Sequence, residues 1–295
     1  MCRAIVAALV AAVLSAPQVW GSSQPPLERD RPPPGPPTLA DAQSLFYNSR
    51  YEACATLTLT LVASDTDDLT RVELRTSALL FQLKRLLEGP PGRLEKDKPQ
   101  KGQPEKDRQA TLRNCATCPD LIAQFLTDFR RGRDLARARL QANPADEPAL
   151  FFLGKLDLNY VWLQLGPLRK RTGWDEYWEA RKSLDAVLKA NPRHVRARVA
   201  RAWIDYIVDT RMPWGTEWLL GGGDRKQALK DVRAAAAMES DFFTHTEAEF
   251  ALWDMQVRER DMARAIEVAQ RLAHDFPGNP ELAAFLETRV AESAR

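Results

Sequence analysis

Residues 179–192 read EARKSLDAVLKANP: a small residue, Ala180, an apolar residue four later, Leu184, and a Pro twelve later, Pro192. Two further stretches keep these intervals. Residues 227–240, QALKDVRAAAAMES, place Ala228, Val232 and Ser240 there, and residues 264–277, RAIEVAQRLAHDFP, place Ala265, Ala269 and Pro277. A weaker copy ends at Ala142-Asn143-Pro144. A small residue lets two antiparallel helices approach closely, and a Pro stops the second because it has no N–H to donate. A helix end that recurs in one register predicts stacked helix pairs.

Apolar residues elsewhere follow the same logic. Leu39, Ala42, Leu45 and Phe46 recur three and four apart, as do Leu79, Leu80, Leu83, Leu86 and Leu87. From residue 109 onward there is no β-branched alternation and no hairpin turn signal. The predicted fold is all-α, with helical patterns over 39–88 and 109–295. Between them, residues 89–108 (GPPGRLEKDKPQKGQPEKDR) are dense in Pro, Gly and both signs of charge, the composition of a solvated, disordered loop.

The helix ends resemble the tetratricopeptide repeat (TPR), whose second helix carries a small residue early, an apolar one four later and a Pro after its end. Arg50-Tyr51-Glu52-Ala53-Cys54 is similar to another second-helix start, with Cys54 at the small position. Arg196, Val199, Ala200 and Trp203 follow Pro192 at the spacing of the first helix, although Arg196 stands where the family has an aromatic residue. The terminators lie 48, 48 and 37 residues apart, against about 34 in the family. The surplus falls at 165–173 and 211–223. The resemblance implies a right-handed solenoid of antiparallel helix pairs with a concave face that binds protein or peptide segments.

The N-terminus, MCRAIVAALVAAVLSAPQVWG, has one cation and an apolar run from Ala4 to Leu14, too short to span a bilayer. It predicts a signal peptide over residues 1–21, cleaved after Gly21, with any membrane contact limited to that transient segment. Residues 22–38 are Pro-rich and predict an extended, disordered spacer. The chain is therefore expected to be exported, periplasmic or extracellular. Its 42 Lys+Arg against 40 Asp+Glu argue against nucleic acid as the main partner, and a mean hydropathy of −0.40 argues against a polytopic membrane protein.

Candidate chemistry is sparse. No hydrolase or metalloprotease motif occurs, so the chain is expected to be non-catalytic and to need neither cofactor nor metal. Cys115 and Cys118 precede a helical run. A redox pair or free thiols are open alternatives, but the missing βαβ context favours a structural disulfide. Gly221-Gly222-Gly223-Asp224 precedes a helix without a strand before it, which predicts a turn with Asp224 as N-cap and Gln227 as its capping-box partner. Arg169-Lys170-Arg171 reads as a solvated loop.

Aromatic residues crowd one region. Trp203 and Trp178 are expected on inner faces, while Trp214 and Trp218 lie in the insert after Arg211. The predicted partner-binding set is Tyr160, Trp203, Asp205, Tyr206, Asp209, Trp214 and Trp218, receiving an unknown protein or peptide. Asp205 and Asp209 share a helix face, with Arg201 in reach of Asp205. Two rivals remain: a carrier of a small hydrophobic ligand in an envelope transport system, and a thiol-redox helper using Cys115 and Cys118.

Overall fold

Several helices in this chain begin where a short polar side chain satisfies a free N–H group of the first turn. Thr38 accepts from the Asp41 N–H while Asp41 accepts from the Thr38 N–H, and Asp146, Asp224 and Asp241 each accept from the N–H three residues on. The computed structural model describes residues 36–61, 67–88, 112, 114–168, 170, 172–211 and 220–293. Among them are eleven α-helices and no strand, as the all-α expectation requires: α1 (Leu39–Tyr47), α2 (Tyr51–Thr60), α3 (Asp67–Glu88), α4 (Cys118–Ala142), α5 (Glu147–Leu165), α6 (Trp174–Ala190), α7 (Val195–Arg211), α8 (Arg225–Ala236), α9 (Phe242–Arg258), α10 (Met262–Asp275) and α11 (Pro280–Ser293). The expected signal peptide, all but the last residues of the spacer, the 89–108 loop, and Trp214 and Trp218 lie outside the described residues.

Each helix packs on its successor, and α3 also packs on α5 and α7 on α9. Pairing is antiparallel. Gly173, before α6, lies against Tyr160 near the end of α5, while Asn191, after α6, donates to Glu147 at the start of α5. Small residues set the spacing: Ala180, Ala228, Ala265 and Cys54 are all fully or almost fully buried. At Gly154 a Cβ would stand 3.3 Å from the Ala180 carbonyl oxygen and 2.9 Å from Leu184. Gly132, twelve residues before Pro144, takes the same role in α4: a Cβ there would meet Leu156 at 2.6 Å and Val72 at 2.9 Å.

The helix ends follow the sequence with one exception. Asn143 and Asn191 close α4 and α6 identically, each N–H donating four residues back and each side chain accepting from the N–H two residues on. The segment expected to end at Ser240 stops instead at Ala236. It has no Pro, and Asp241 caps the next helix.

Segment 37–295 is one unit. A core cluster containing Ala42, Leu83, Phe125 and Leu163 runs from α1 to α5, joining the N-terminal helices to the rest. A second holds Phe151, Leu184 and Ile204, and a third runs from Val195 to Phe285. The helix succession also returns on itself. The Tyr47 ring packs against Phe250 at 5.3 Å and Phe276 at 5.4 Å between ring centres and stacks on Phe243. Asn279 donates to the Tyr47 carbonyl at 2.7 Å, and the Gly278 N–H donates to Asn48 Oδ1 at 3.0 Å. The first helix is thereby tied to α9 and to the connection between α10 and α11.

Tyr47→Ala is expected to lower the unfolding free energy by about 3 kcal/mol in a urea titration, because it removes the aromatic side of this closure. A loss below about 1 kcal/mol would show that α1 lies outside the cooperative unit.

Candidate functional site

Four helices bring together four charges from distant parts of the chain. Arg196 on α7 donates to Glu73 on α3 at 2.9 Å and to Glu247 on α9. Lys155 on α5 lies 2.7 Å from Glu247 and 3.8 Å from Glu73. Glu73 also accepts from Ser77, which accepts from Asn159. Two carboxylates face two cations, so the cluster is neutral within a buried space. Burial would raise the Glu247 carboxyl, but Arg196 and Lys155 outweigh it and hold it well below the usual carboxylate range. Burial, with Glu247 adding to it, pushes the Tyr47 phenol well above its ordinary range. The Arg196 guanidinium also lies 4.9 Å from the centre of the Phe151 ring. These four side chains are thus already paired with each other.

A second network sits between α4, α5 and α6. Asp157 is completely buried, 2.9 Å from Arg133 Nε. Arg133 also meets Glu176 at 3.5 Å and pairs with Glu179, which Arg137 holds at 2.7 Å. Three carboxylates share two guanidiniums, leaving one negative charge in excess. Burial pushes the Asp157 carboxyl up to about 8, against the pull of Arg133 and with the repulsion of Glu179 and Glu176.

The expected partner-binding residues divide into three groups. Trp203 and Tyr206 on α7 meet edge to face at 5.6 Å, with the Arg258 guanidinium 5.7 Å from the Trp203 ring; Tyr206 is buried and donates to Glu259 at 2.9 Å. Asp205 pairs with Arg201 at 2.6 Å and lies 3.5 Å from Arg181, and Asp209 accepts from the Arg225 N–H at 2.8 Å. Tyr160 is on α5, stacked on Phe129 at 4.6 Å, away from the α7 set. Trp178 departs from its expected inner position. It is 44% exposed, because Tyr177, Ala180 and Leu184 take the buried positions of α6 and leave Trp178 outside beside Trp174.

The chain returning to α8 is clamped next to Asp205 and Asp209. Tyr177 donates to the Leu220 carbonyl at 2.7 Å and Arg181 to the Gly221 carbonyl at 2.8 Å. Gly221 and Gly222 both have φ of 78°, and a Cβ on Gly223 would stand 2.6 Å from the α7 backbone. The expected turn and Asp224 cap are present. Gln227, however, turns its amide to Asp231 instead of completing a capping box.

An open cleft of about 360 Å³ lies where α5, α7 and α9 begin. Its floor is Phe151 and Phe152, its walls His194, Arg196 and Thr244, and its rim Glu147, Arg193 and Glu239. His194 Nδ1 accepts from the Ala197 N–H as the cap of α7, and burial lowers its pKa, so the ring is neutral at physiological pH. None of these residues stands out in the sequence; the one signal was Arg196 in a position where an aromatic was expected.

Cys115 and Cys118 form a disulfide at the start of α4, as the sequence context favoured. Cys54 is a free, buried thiol, pushed up to about 12 by burial. Among the described residues no group of three His, Cys, Asp or Glu is placed to hold a metal ion. No family model, curated protein or solved structure matches this chain.

Two outcomes follow from these networks. With its carboxyl raised, Asp157 stays protonated in the folded chain from about pH 4 to 8 while it ionises in the unfolded chain, so its contribution to stability falls as pH rises through that window. Asp157→Asn cannot ionise. Its stability relative to wild type is therefore expected to grow by a few kcal/mol from about pH 4 to 8 and then level off, measured by calorimetry at stepped pH. The disulfide closes only a four-residue ring, so Cys115→Ser with Cys118→Ser is expected to cost about 2 kcal/mol in denaturant titration, with helicity retained.

Proposed function

We propose that this chain is an exported, non-catalytic helical-repeat protein, a TPR-like right-handed solenoid, that binds a protein or peptide segment. The observation that carries the reading is the cleft at the start of α5, α7 and α9. Its apolar floor and its rim of both charge signs suit a few mixed side chains of an extended peptide. Three inner helices from successive pairs build it, which is the kind of surface stacked helix pairs offer. That step is an argument from fold-level likeness.

The α7 set of Trp203, Asp205, Tyr206 and Asp209 supports the cleft indirectly. These side chains are engaged with α6, α8 and Glu259, so they hold the stack together beside it. The carrier reading draws less support, because the space between the inner helices is filled by charged side chains. The reading as an exported protein of the periplasm or exterior rests on residues 1–21. The disulfide is read as a clip, since Cys118 is fully buried at the start of a long helix.

The test places a photo-crosslinking p-benzoylphenylalanine at position 193, on the cleft rim, or at exposed position 263 on α10 as a control. Adducts of defined mass are expected from position 193 and not from 263 when the chain is irradiated in its own cell extract. Equal adducts from both positions, or none from 193, would overturn the assignment.

A further inference from the structure

The outer side of α8 carries a row of cations that neither the cleft nor the inner charges use. Ala228, Val232 and Ala235 bury one side of this helix. Lys226, Lys230 and Arg233 follow one another at intervals of four and three, which places them within about 60° of arc on the opposite side. All three are exposed. They form one row over about 10 Å of helix. The ion pairs of α8 lie elsewhere. Asp231 meets Arg198 of α7 at 3.2 Å and accepts from Gln227, and Arg225 stands 3.9 Å from Glu259. Among the described residues no carboxylate pairs with Lys226, Lys230 or Arg233.

The row works against its own helix. Arg225 and Lys226 stand in the first turn, at the positive end of the helix dipole, and no acid accompanies them there. Lys226 with Lys230, and Lys230 with Arg233, are like charges at the spacings where helix side chains meet, which weakens a helix. Elsewhere this chain fills the same spacings with opposite charges, as in Arg201 with Asp205, Arg258 with Asp254 and Arg264 with Asp261. Folding alone therefore does not reward the arrangement on α8.

An anionic partner relieves both costs, and the borders of the row select its kind. Asp231 flanks the row on the α7 side, and Glu239 stands exposed beyond the end of α8. A long polyanion that followed the helix would run into Glu239. The exposed residues of α8 include no aromatic ring on which bases could stack and no large apolar side chain to enter lipid. A few carboxylates at matching intervals, as on one face of an acidic helix, satisfy the row without reaching the acids that bound it.

We infer that the outer side of α8 docks an acidic segment of a partner protein, whose carboxylates pair with Lys226, Lys230 and Arg233. The inference is independent of the cleft reading and stands or falls separately from it.

The test uses the full chain and a fluorescein-labelled helical peptide of Ala and Gln with Glu at i, i+4 and i+7, followed by anisotropy at low salt. Wild type is expected to bind this peptide at least about ten-fold more tightly than its counterpart with Gln in place of Glu. The triple variant Lys226→Gln, Lys230→Gln, Arg233→Gln is expected to lose affinity by a similar factor. Lys182→Gln with Lys189→Gln removes two exposed cations of α6 and is expected to bind as wild type does. The triple variant is also expected to melt no lower than wild type, because like-charge repulsion is removed. Equal binding of the two peptides or an equal loss in the α6 variant would overturn the inference. So would a lower melting temperature of the triple variant, or a duplex oligonucleotide held more tightly than the peptide by the same three residues.

Discussion

Arg196 holds the middle of this protein. Its guanidinium reaches Glu73 and Glu247, and Lys155 bridges the same two carboxylates from another helix. Taking four charges out of water is costly, and the cost is met only where every charge has an opposite neighbour and the remaining lone pairs are satisfied. Ser77 and Asn159 supply that further satisfaction for Glu73. The four residues lie on α3, α5, α7 and α9, so the cluster forms only when four helices from separate parts of the chain are in place. Each carboxylate meets both cations, so removing any one residue would leave the buried cluster with one unbalanced charge.

Around that centre, close approach between helices is set by the absence of side-chain bulk. Gly132, Gly154, Ala180, Ala228 and Ala265 each sit where a larger residue would push two helices apart. The closure by Tyr47, Asn48 and Asn279 then brings the two ends of the helix succession into contact. At the start of α5 and α7, Phe151 and Phe152 line a recess under a charged rim.

The Asp157 network obeys the opposite rule from the central cluster. There one guanidinium is shared among three carboxylates, with Arg137 relieving only Glu179. The deficit of positive charge falls on the most buried member. The same physics therefore produces a carboxylate held firmly ionised at Glu247 and one held protonated at Asp157, and the difference is the local count of cations.

Much of the helical layout was legible in the sequence. Ala180 with Pro192 and Ala265 with Pro277 mark helix positions by steric necessity: a small residue where backbones approach, and an imino acid where no N–H is available. Asp224 as a cap and Cys115 with Cys118 as a disulfide were legible for the same reason, since each acts over a few residues of chain. Gly132 repeats the Ala180 interval before Pro144 but was hidden by a different residue type. In α7, Ala202 and not Ala200 belongs to the core cluster of Ala228, while Ala200 belongs to that of Leu184. A repeat pattern alone cannot separate two small residues that lie two apart. The binding set was less legible, because exposure depends on what packs opposite: Tyr206 is covered by α9 and Trp178 is not. Sequence alone determined that this chain would form capped, Pro-terminated helices in antiparallel pairs, because those rules are local. Only the tertiary structure decided that Glu73, Lys155, Arg196 and Glu247 would meet, because a charge pairs with whatever neighbour is close in space, and their closeness is a product of the folded stack.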